Sequence, residues 1–460
     1  MKKLETSRRI IILIASAVSM IAQATAYGFA WFGWFKEMVA QIFWIKGDIL
    51  MISVYFVLLF FFSKMYGGMK IGYLKAWEVF FSQVFSTFCT NVIIYAVISL
   101  MSAKLINVKY IAMLMLVDVI WIAIWVLLAQ GLYTMLFPPR DMLLVSGERP
   151  TEDIIRKFES RKDKYNICKS MNISEGFDAI VEEMKNRYDA MVLWDIPTAD
   201  RNKLLKYCYG NSIRVYMMPK IPDVLIKGTT EMHIFDTPIY LTREYALKFE
   251  ERLTKRLIDL ICSIVLFIIA LPFMLITALL IKCYDGGPVF YKQTRCTIGG
   301  REFKILKFRS MRVDAEKDGV ARLASKGDDR ITPIGRFIRT CRIDELPQII
   351  NILKGDMSFV GPRPERPEII RQYEEEMPEF VFRMKVKAGL AGYAQVYGKY
   401  NTTPYDKLKL DLAYIENYSV WLDLKLMLLT LKILLKPEST EGVEDKQTTA
   451  LKTPAGNDKK

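Results

Sequence analysis

Residues 260–281 read LICSIVLFIIALPFMLITALLI, 22 consecutive positions without a charged side chain. A spanning helix needs about 20 apolar residues, so part of this chain is expected in lipid. Four further apolar segments precede it, near 10–34, 49–63, 79–101 and 109–137. Each can supply a crossing, the second only just. A bilayer offers the backbone no hydrogen-bond partners, so such segments must satisfy their own N–H and C=O groups as helices. The expectation is an α-helical four-helix transmembrane domain over 1–140. The first segment is too long for a signal peptide and shows no clear small-residue cleavage site. Lys2, Lys3, Arg8 and Arg9 precede it, and Lys64, Lys70 and Lys75 follow the second segment. The positive-inside rule then puts the N-terminus in the cytoplasm and returns the chain there near Pro138. Asp118 is the only ionisable residue deep in these segments. Transporters usually line their path with such groups, so this part reads as an anchor or assembly platform.

The rest of the chain is different in kind. It must carry most of the charge in a sequence that is 52% hydrophobic, 25% charged and net +14. That basic excess suits anionic membrane lipids or phosphate-bearing substrates. Nucleic acid is set aside as a partner because of the apolar runs. The seven cysteines are odd in number and show neither CxxC pairs nor metal-ligand spacing, so they read as free thiols in a reducing cytosol. His233 is the sole histidine, with nothing beside it resembling a triad. Acid–base work therefore falls to carboxylates and lysines.

Residues 141–245 look soluble. DMLLVSG, YDAMVLWDI and SIRVYMMP read as strands, and TEDIIRKFESRKDKY and GFDAIVEEMKNR have helical spacing. Alternating strands and helices imply a small Rossmann-like, parallel α/β middle domain on the cytosolic side. The stretch VSGERPTED has one glycine where a dinucleotide fingerprint needs three, so dinucleotide binding is not expected. A structural or regulatory spacer is the plainer reading.

The run at 260–281 should not simply cross. Lys255 and Arg256 precede it, and seven Lys or Arg between 292 and 312 face one acid, Glu302. Both flanks want the cytoplasmic side. Pro272 sits at mid-run, where it removes one backbone hydrogen bond and bends the helix. A re-entrant helix over 256–283, broken at Pro272, satisfies both observations. A straight crossing is the alternative. It would put everything after 282 outside the cell.

One acidic pair stands out further on. In RIDELPQ, residues 342–348, Asp344 and Glu345 precede a leucine and a proline. Acids favour helix N-termini, and proline is tolerated in a first turn. The pair is therefore either a helix start or a chemical centre, or both.

Around it, KRLIDL, GPVFYKQTR, FKILKFRSM, ITPIGRFIR, DELPQIINILKGDMSFVGPRPE, KAGLAGYAQVYG and YIENYSVWLDLKLMLLT follow in one order. This run resembles the catalytic domain of the bacterial sugar transferases, the monotopic phosphoglycosyl transferases, and the four-helix preamble and α/β region resemble their large members. Departures are Thr297 for a frequent glycine, Cys341-Arg342-Ile343 for Thr-Ser-Leu, and KAGLAG for KPGITG.

The resemblance implies a mainly α, monotopic catalytic domain over 250–436, then a disordered tail over 437–460. It implies transfer of a hexose 1-phosphate from a UDP-sugar, UDP-glucose or UDP-galactose being expected, to undecaprenyl phosphate. UMP would leave, and the step would begin exopolysaccharide or capsule synthesis. A non-catalytic membrane scaffold for polysaccharide assembly is the alternative. Asp344 would be the nucleophile of a covalent phosphosugar intermediate, and Glu345, with Asp344, would hold Mg²⁺. Phosphate would be bound by Lys292, Arg295, Arg309, Arg339 and Arg363, the last stiffened between two prolines. Membrane lipids are the remaining partner, at the bacterial inner membrane with the catalytic domain on its cytosolic face. A homodimer is allowed but not required. Residues 421–436 read either as an interfacial amphipathic helix or as a helix packed on the core.

Overall fold

The computed structural model describes residues 2–40, 44–242, 246–313, 315, 328, 330–398 and 402–434; the expected tail over 437–460 lies outside them. The protein is mostly helical with a small α/β region. Among the described residues, five helices are long and apolar enough to cross a membrane. The chain divides into two compact units, Met1–Pro219 and Lys220–Lys460.

In the first unit the four apolar segments are helices: α1 (Lys2–Ala30), α2 (Ile45–Tyr66), α3 (Ala76–Met101) and α4 (Val108–Leu136). They pack as neighbours in the pairs α1–α2, α2–α3, α3–α4 and α1–α4. Polar groups inside are largely paired, as burial demands. Trp125 Nε1 donates to the Ala15 carbonyl at 2.9 Å, and Thr87 donates to Gln23 at 2.8 Å. The Tyr27 and Tyr55 rings stack with centroids 4.2 Å apart.

The α/β region follows as β1 (Arg140–Ser146), α5 (Glu152–Glu159), β2 (Tyr165–Asn172), α6 (Phe177–Arg187), β3 (Ala190–Trp194), α7 (Thr198–Gly210) and β4 (Arg214–Met217). The sheet is parallel throughout, in the order β2-β1-β3-β4. β1 and β3 are central, and Met142–Val145 and Ala190–Leu193 are buried. Two elements were not foreseen. β2 is an edge strand that is mostly exposed, so its sequence carries no apolar run. α7 buries only Leu204, Cys208 and Arg201 on its inner face. The α/β region is tied to the turn between α2 and α3: Arg161 donates to the Gly72 and Tyr73 carbonyls at 3.1 and 2.6 Å.

The second unit begins with α8 (Ile221–Lys227) and the hairpin β5 (Thr230–Ile234) and β6 (Thr237–Leu241). The sequence grouped these residues with the α/β region, but Ile221 and Val224 enter the core of the second unit. Then come α9 (Phe249–Asp285), the antiparallel pair β7 (Phe290–Cys296) and β8 (Glu302–Phe308), α10 (Pro333–Thr340), α11 (Gln348–Lys354), β9 (Ser358–Val360), α12 (Pro367–Glu376), β10 (Gly389–Ala391), α13 (Tyr393–Tyr397), α14 (Pro404–Glu416) and α15 (Val420–Leu434). β9 and β10 pair in parallel.

The expected helix–break–helix is corrected in one respect. α9 is helical without interruption over 37 residues, with Pro272 inside it. A proline deletes one intrahelical hydrogen bond and can bend a helix without ending it. The helix is held along its length. Lys255 donates to Asp423 at 2.6 Å, and Asp259 accepts from Ser358 and the Phe359 N–H, both at 2.9 Å. Ala270, Met274 and Ile281 pack with Phe308, Ile338 and Ile349. In α15 Asp423 and Leu426 are buried, as a helix packed on the core requires, while Trp421, Leu424 and Leu431 are exposed.

Candidate active site

The acid pair lies in a single 3₁₀ turn, Ile343–Glu345, just before α11. It is not within the first turn of α11 itself, which starts at Gln348. Pro347 lacks the N–H that a continuous α-helix would direct at Ile343. The chain closes instead through i→i+3 bonds from Leu346 to Ile343 and from Ile350 to Pro347. Arg342, ahead of the pair, has a positive φ of 56°. α11 is fixed from α9, where Arg256 donates to the Ile352 and Leu353 carbonyls at 2.6 and 2.8 Å. The pair is thus held between two anchored segments.

The two carboxylates have different surroundings. Glu345 Oε1 accepts from Lys307 Nζ at 2.9 Å and from Arg363 Nη2 at 3.0 Å. Its Oε2 lies 3.7 Å from Arg342 Nη1. Burial opposes its ionisation, but Lys307, Arg363 and Arg342 outweigh that and hold its carboxyl well below the usual range. Asp344 is also buried, and no hydrogen bond to its carboxylate is seen among the described residues. Burial and the adjacent Glu345 raise its pKa, against the pull of Lys307, Arg339 and Arg342. One carboxylate is therefore held as an anion by its cations, while the other is buried and without a hydrogen bond among the described residues.

The expected phosphate-binding residues divide into two groups. Arg363 stands at the pair with its side chain 44% exposed, so it can also reach a ligand. Arg339 acts electrostatically on Asp344, and its Nη1 is buried without a hydrogen-bond partner among the described residues. Those two are the members of the expected set that lie at the acid pair among the described residues. Arg295 is spent on Gln293 and on the Pro364 carbonyl at 3.1 Å, so it holds the GPRPE loop. Arg309 is committed to Asp285 and to the Pro288 carbonyl. Lys292 is exposed on β7 opposite Leu306 and is not among the side chains bonded to the pair.

Three residues were missed. Lys307 is one of several lysines in FKILKFR, and only its place on β8 brings it to Glu345. Arg342 was read as a departure from a motif. Arg383 is buried, pairs with Asp411 at 2.8 Å and donates to the Arg363 carbonyl at 3.0 Å, so it fixes the backbone from which Arg363 projects.

Two adjacent carboxylates suit a magnesium ion, which commonly takes one or two protein carboxylates and completes its shell with phosphate and water. No group of three or more His, Cys, Asp or Glu side chains that could cage a metal occurs among the described residues. The fit therefore needs a phosphate-bearing substrate and the partial release of Glu345 from its cations.

A family model for bacterial sugar transferases matches residues 250–437, which include every residue of this site. The chain is 40% identical over 192 residues to the UDP-glucose:undecaprenyl-phosphate glucose-1-phosphate transferase of Caulobacter vibrioides, covering 41% of this chain and 72% of that protein. The chain belongs to the bacterial sugar transferase family. The chain is also 37% identical over 263 residues to the UDP-N-acetylgalactosamine-undecaprenyl-phosphate N-acetylgalactosaminephosphotransferase of Aeromonas hydrophila, covering 54% of this chain and 59% of that one. A UDP-glucose:undecaprenyl-phosphate glucose-1-phosphate transferase of Xanthomonas campestris pv. campestris is 35% identical over 263 residues, 55% of this chain and 54% of the relative. The chain thus spans little more than half the length of these last two relatives.

Proposed function

We propose that this protein transfers a hexose 1-phosphate from a UDP-sugar to undecaprenyl phosphate, opening exopolysaccharide or capsule synthesis at the bacterial inner membrane. UDP-glucose and UDP-galactose are the favoured donors. The reading rests on one observation: the Asp344 carboxylate is uncommitted beside a Glu345 that two cations lock in place. In the first half-reaction an Asp344 oxygen attacks the sugar-side phosphorus of the donor. The phosphoanhydride bond breaks and UMP leaves with its electron pair. In the second, an oxygen of the lipid phosphate attacks the same phosphorus and frees the Asp344 carboxylate. Arg363 and Arg339 steady phosphate oxygens, and Lys307 keeps the site electropositive as charge develops. Mg²⁺, when held by Glu345 and Asp344, would neutralise charge on the departing phosphate.

We further propose that α1 to α4 form a transmembrane bundle, with the α/β region and second unit on the cytosolic face. Support comes from Arg161, which ties the α/β region to the basic turn between α2 and α3. An even number of crossings has that consequence. For α9 we propose a re-entrant path bent at Pro272. Lys255 near one end and Asp285 at the other are both bonded to residues of the second unit, and both flanks of the apolar run are basic, as the cytosolic side favours.

The test is transfer from a panel of radiolabelled UDP-sugars to undecaprenyl phosphate by the purified full-length protein. Label should enter lipid with one or a few donors, with UMP as co-product. A protein that transfers none of them, or releases UDP in place of UMP, is not this enzyme.

A further inference from the structure

Arg309 interlocks with the end of α9. Its side chain is almost wholly buried, and its guanidinium grips Asp285, the last residue of that helix. Nη1 and Nη2 donate to the two carboxylate oxygens, and Nε donates to the Pro288 carbonyl at 2.8 Å. Asp285 Oδ1 also accepts the Gly287 N–H at 3.1 Å. A Cβ on Gly287 would lie 2.9–3.0 Å from the guanidinium, so another side chain there would push against the clamp. Planar, bidentate pairing fixes orientation as well as distance.

The clamp reaches the acid pair by a short path. Arg309 directly follows β8, and Lys307, two residues earlier, bonds to Glu345. Between them Phe308 is buried against α9 residues Ala270, Met274 and Ile281. The end of the apolar helix is thereby joined to the Glu345 anchor through three consecutive residues. The two substrates of the proposed reaction reach this site differently. A UDP-sugar comes from water and is indifferent to the depth of the site. An undecaprenyl phosphate holds its phosphate at headgroup level, so its reaction needs the pair at one height and tilt relative to α9.

We propose that the Asp285–Arg309 clamp is a positioning device for the lipid acceptor, setting the acid pair at the height of a membrane-held phosphate. It rests on the proposed function, and the two can be tested apart. Full-length protein in lipid vesicles is assayed with undecaprenyl phosphate and, separately, with a short water-soluble prenyl phosphate. Asp285→Ala should raise the KM for undecaprenyl phosphate by about tenfold or more, since small misplacements are costly, while the KM for UDP-sugar stays within about twofold. Turnover with the short acceptor should stay near the wild-type value, which also certifies the fold. If Asp285→Ala does not fold, Asp285→Asn carries the comparison, since it keeps the shape and weakens the charge pairing. The paired exchange Asp285→Arg with Arg309→Asp should recover part of the lost affinity. Equal losses with both acceptors would make the clamp a fold support only, and no loss with either would remove it from the reaction; both overturn the inference. A wild-type protein that transfers to neither acceptor fails the proposed function itself, and the inference with it.

Discussion

Lys307 Nζ donates to Glu345 Oε1 at 2.9 Å, and it also lowers the pKa of the neighbouring Asp344. One lysine thus fixes one carboxylate and helps keep the other ionised. Lys307→Met should reduce transfer by a factor on the order of a hundred to a thousand, the range for removing one preorganised charge donor. Steady-state rates with saturating donor and acceptor check this. Wild-type rates would take Lys307 out of the mechanism.

The raised pKa of Asp344 sets a pH dependence. Attack needs the carboxylate, so activity should rise with pH through a value above the ordinary aspartate range of about 3.9. Glu345 stays ionised across that window because its pKa is lowered. Lys307→Met should move the acid limb to higher pH, because a charge favouring the Asp344 carboxylate is gone. Residual activity of that variant, profiled against pH, reads the shift. The same raised pKa acts on stability in the opposite direction. Between the unfolded and folded pKa values of Asp344 the folded state binds more protons, so stability at this site falls as pH rises. Asp344→Asn should therefore be inactive yet at least as stable to heat at neutral pH as the parent.

Lys255 and Asp423 form a pair whose side chains are 7% and 4% exposed. Tyr414 shares it, accepting from Lys255 at 3.1 Å and donating to Asp423 at 2.7 Å. Burial raises the Asp423 pKa, and Lys255 opposes the rise. Removing one partner leaves a buried charge uncompensated, so Lys255→Ala should cost about 3–5 kcal/mol. Denaturant unfolding in detergent measures this. A loss below about 1 kcal/mol, the scale of an exposed pair, would show that the site is open to water.

Cys168 in the α/β region and Cys341 beside the acid pair are exposed free thiols. In intact cells, single-cysteine variants retaining either one should resist an impermeant thiol reagent and react after permeabilisation. Labelling of Cys341 from outside would replace the re-entrant path of α9 with a straight crossing.

Much of this was legible in the sequence where a signal is local. The apolar runs announce helices because lipid leaves the backbone no alternative. The central strands β1 and β3 are short apolar runs, since both faces are covered. β2 was lost because an edge strand needs no such run. At the site, the acid pair Asp344 and Glu345 stands out in the sequence, and the resemblance adds the proline-flanked Arg363. Arg309 shows the limit. Its residue type and motif suit phosphate, but a carboxylate 24 positions earlier takes it, and no local spacing reveals a partner across a turn and a hairpin. Lys307 was hidden for the opposite reason. It is one of many lysines, distinguished only by the strand position that carries it to Glu345.

The central claim is that Asp344 becomes covalently phosphorylated. Full-length protein, the competent UDP-sugar and Mg²⁺ are mixed without lipid acceptor, and intact mass and UMP are followed together. The account predicts one UMP per active site, then a halt, with a hexose phosphate added to the protein and both signals abolished by Asp344→Asn. UMP that appears only when undecaprenyl phosphate is present, with no adduct trapped, would contradict it: the lipid phosphate would then attack the donor directly.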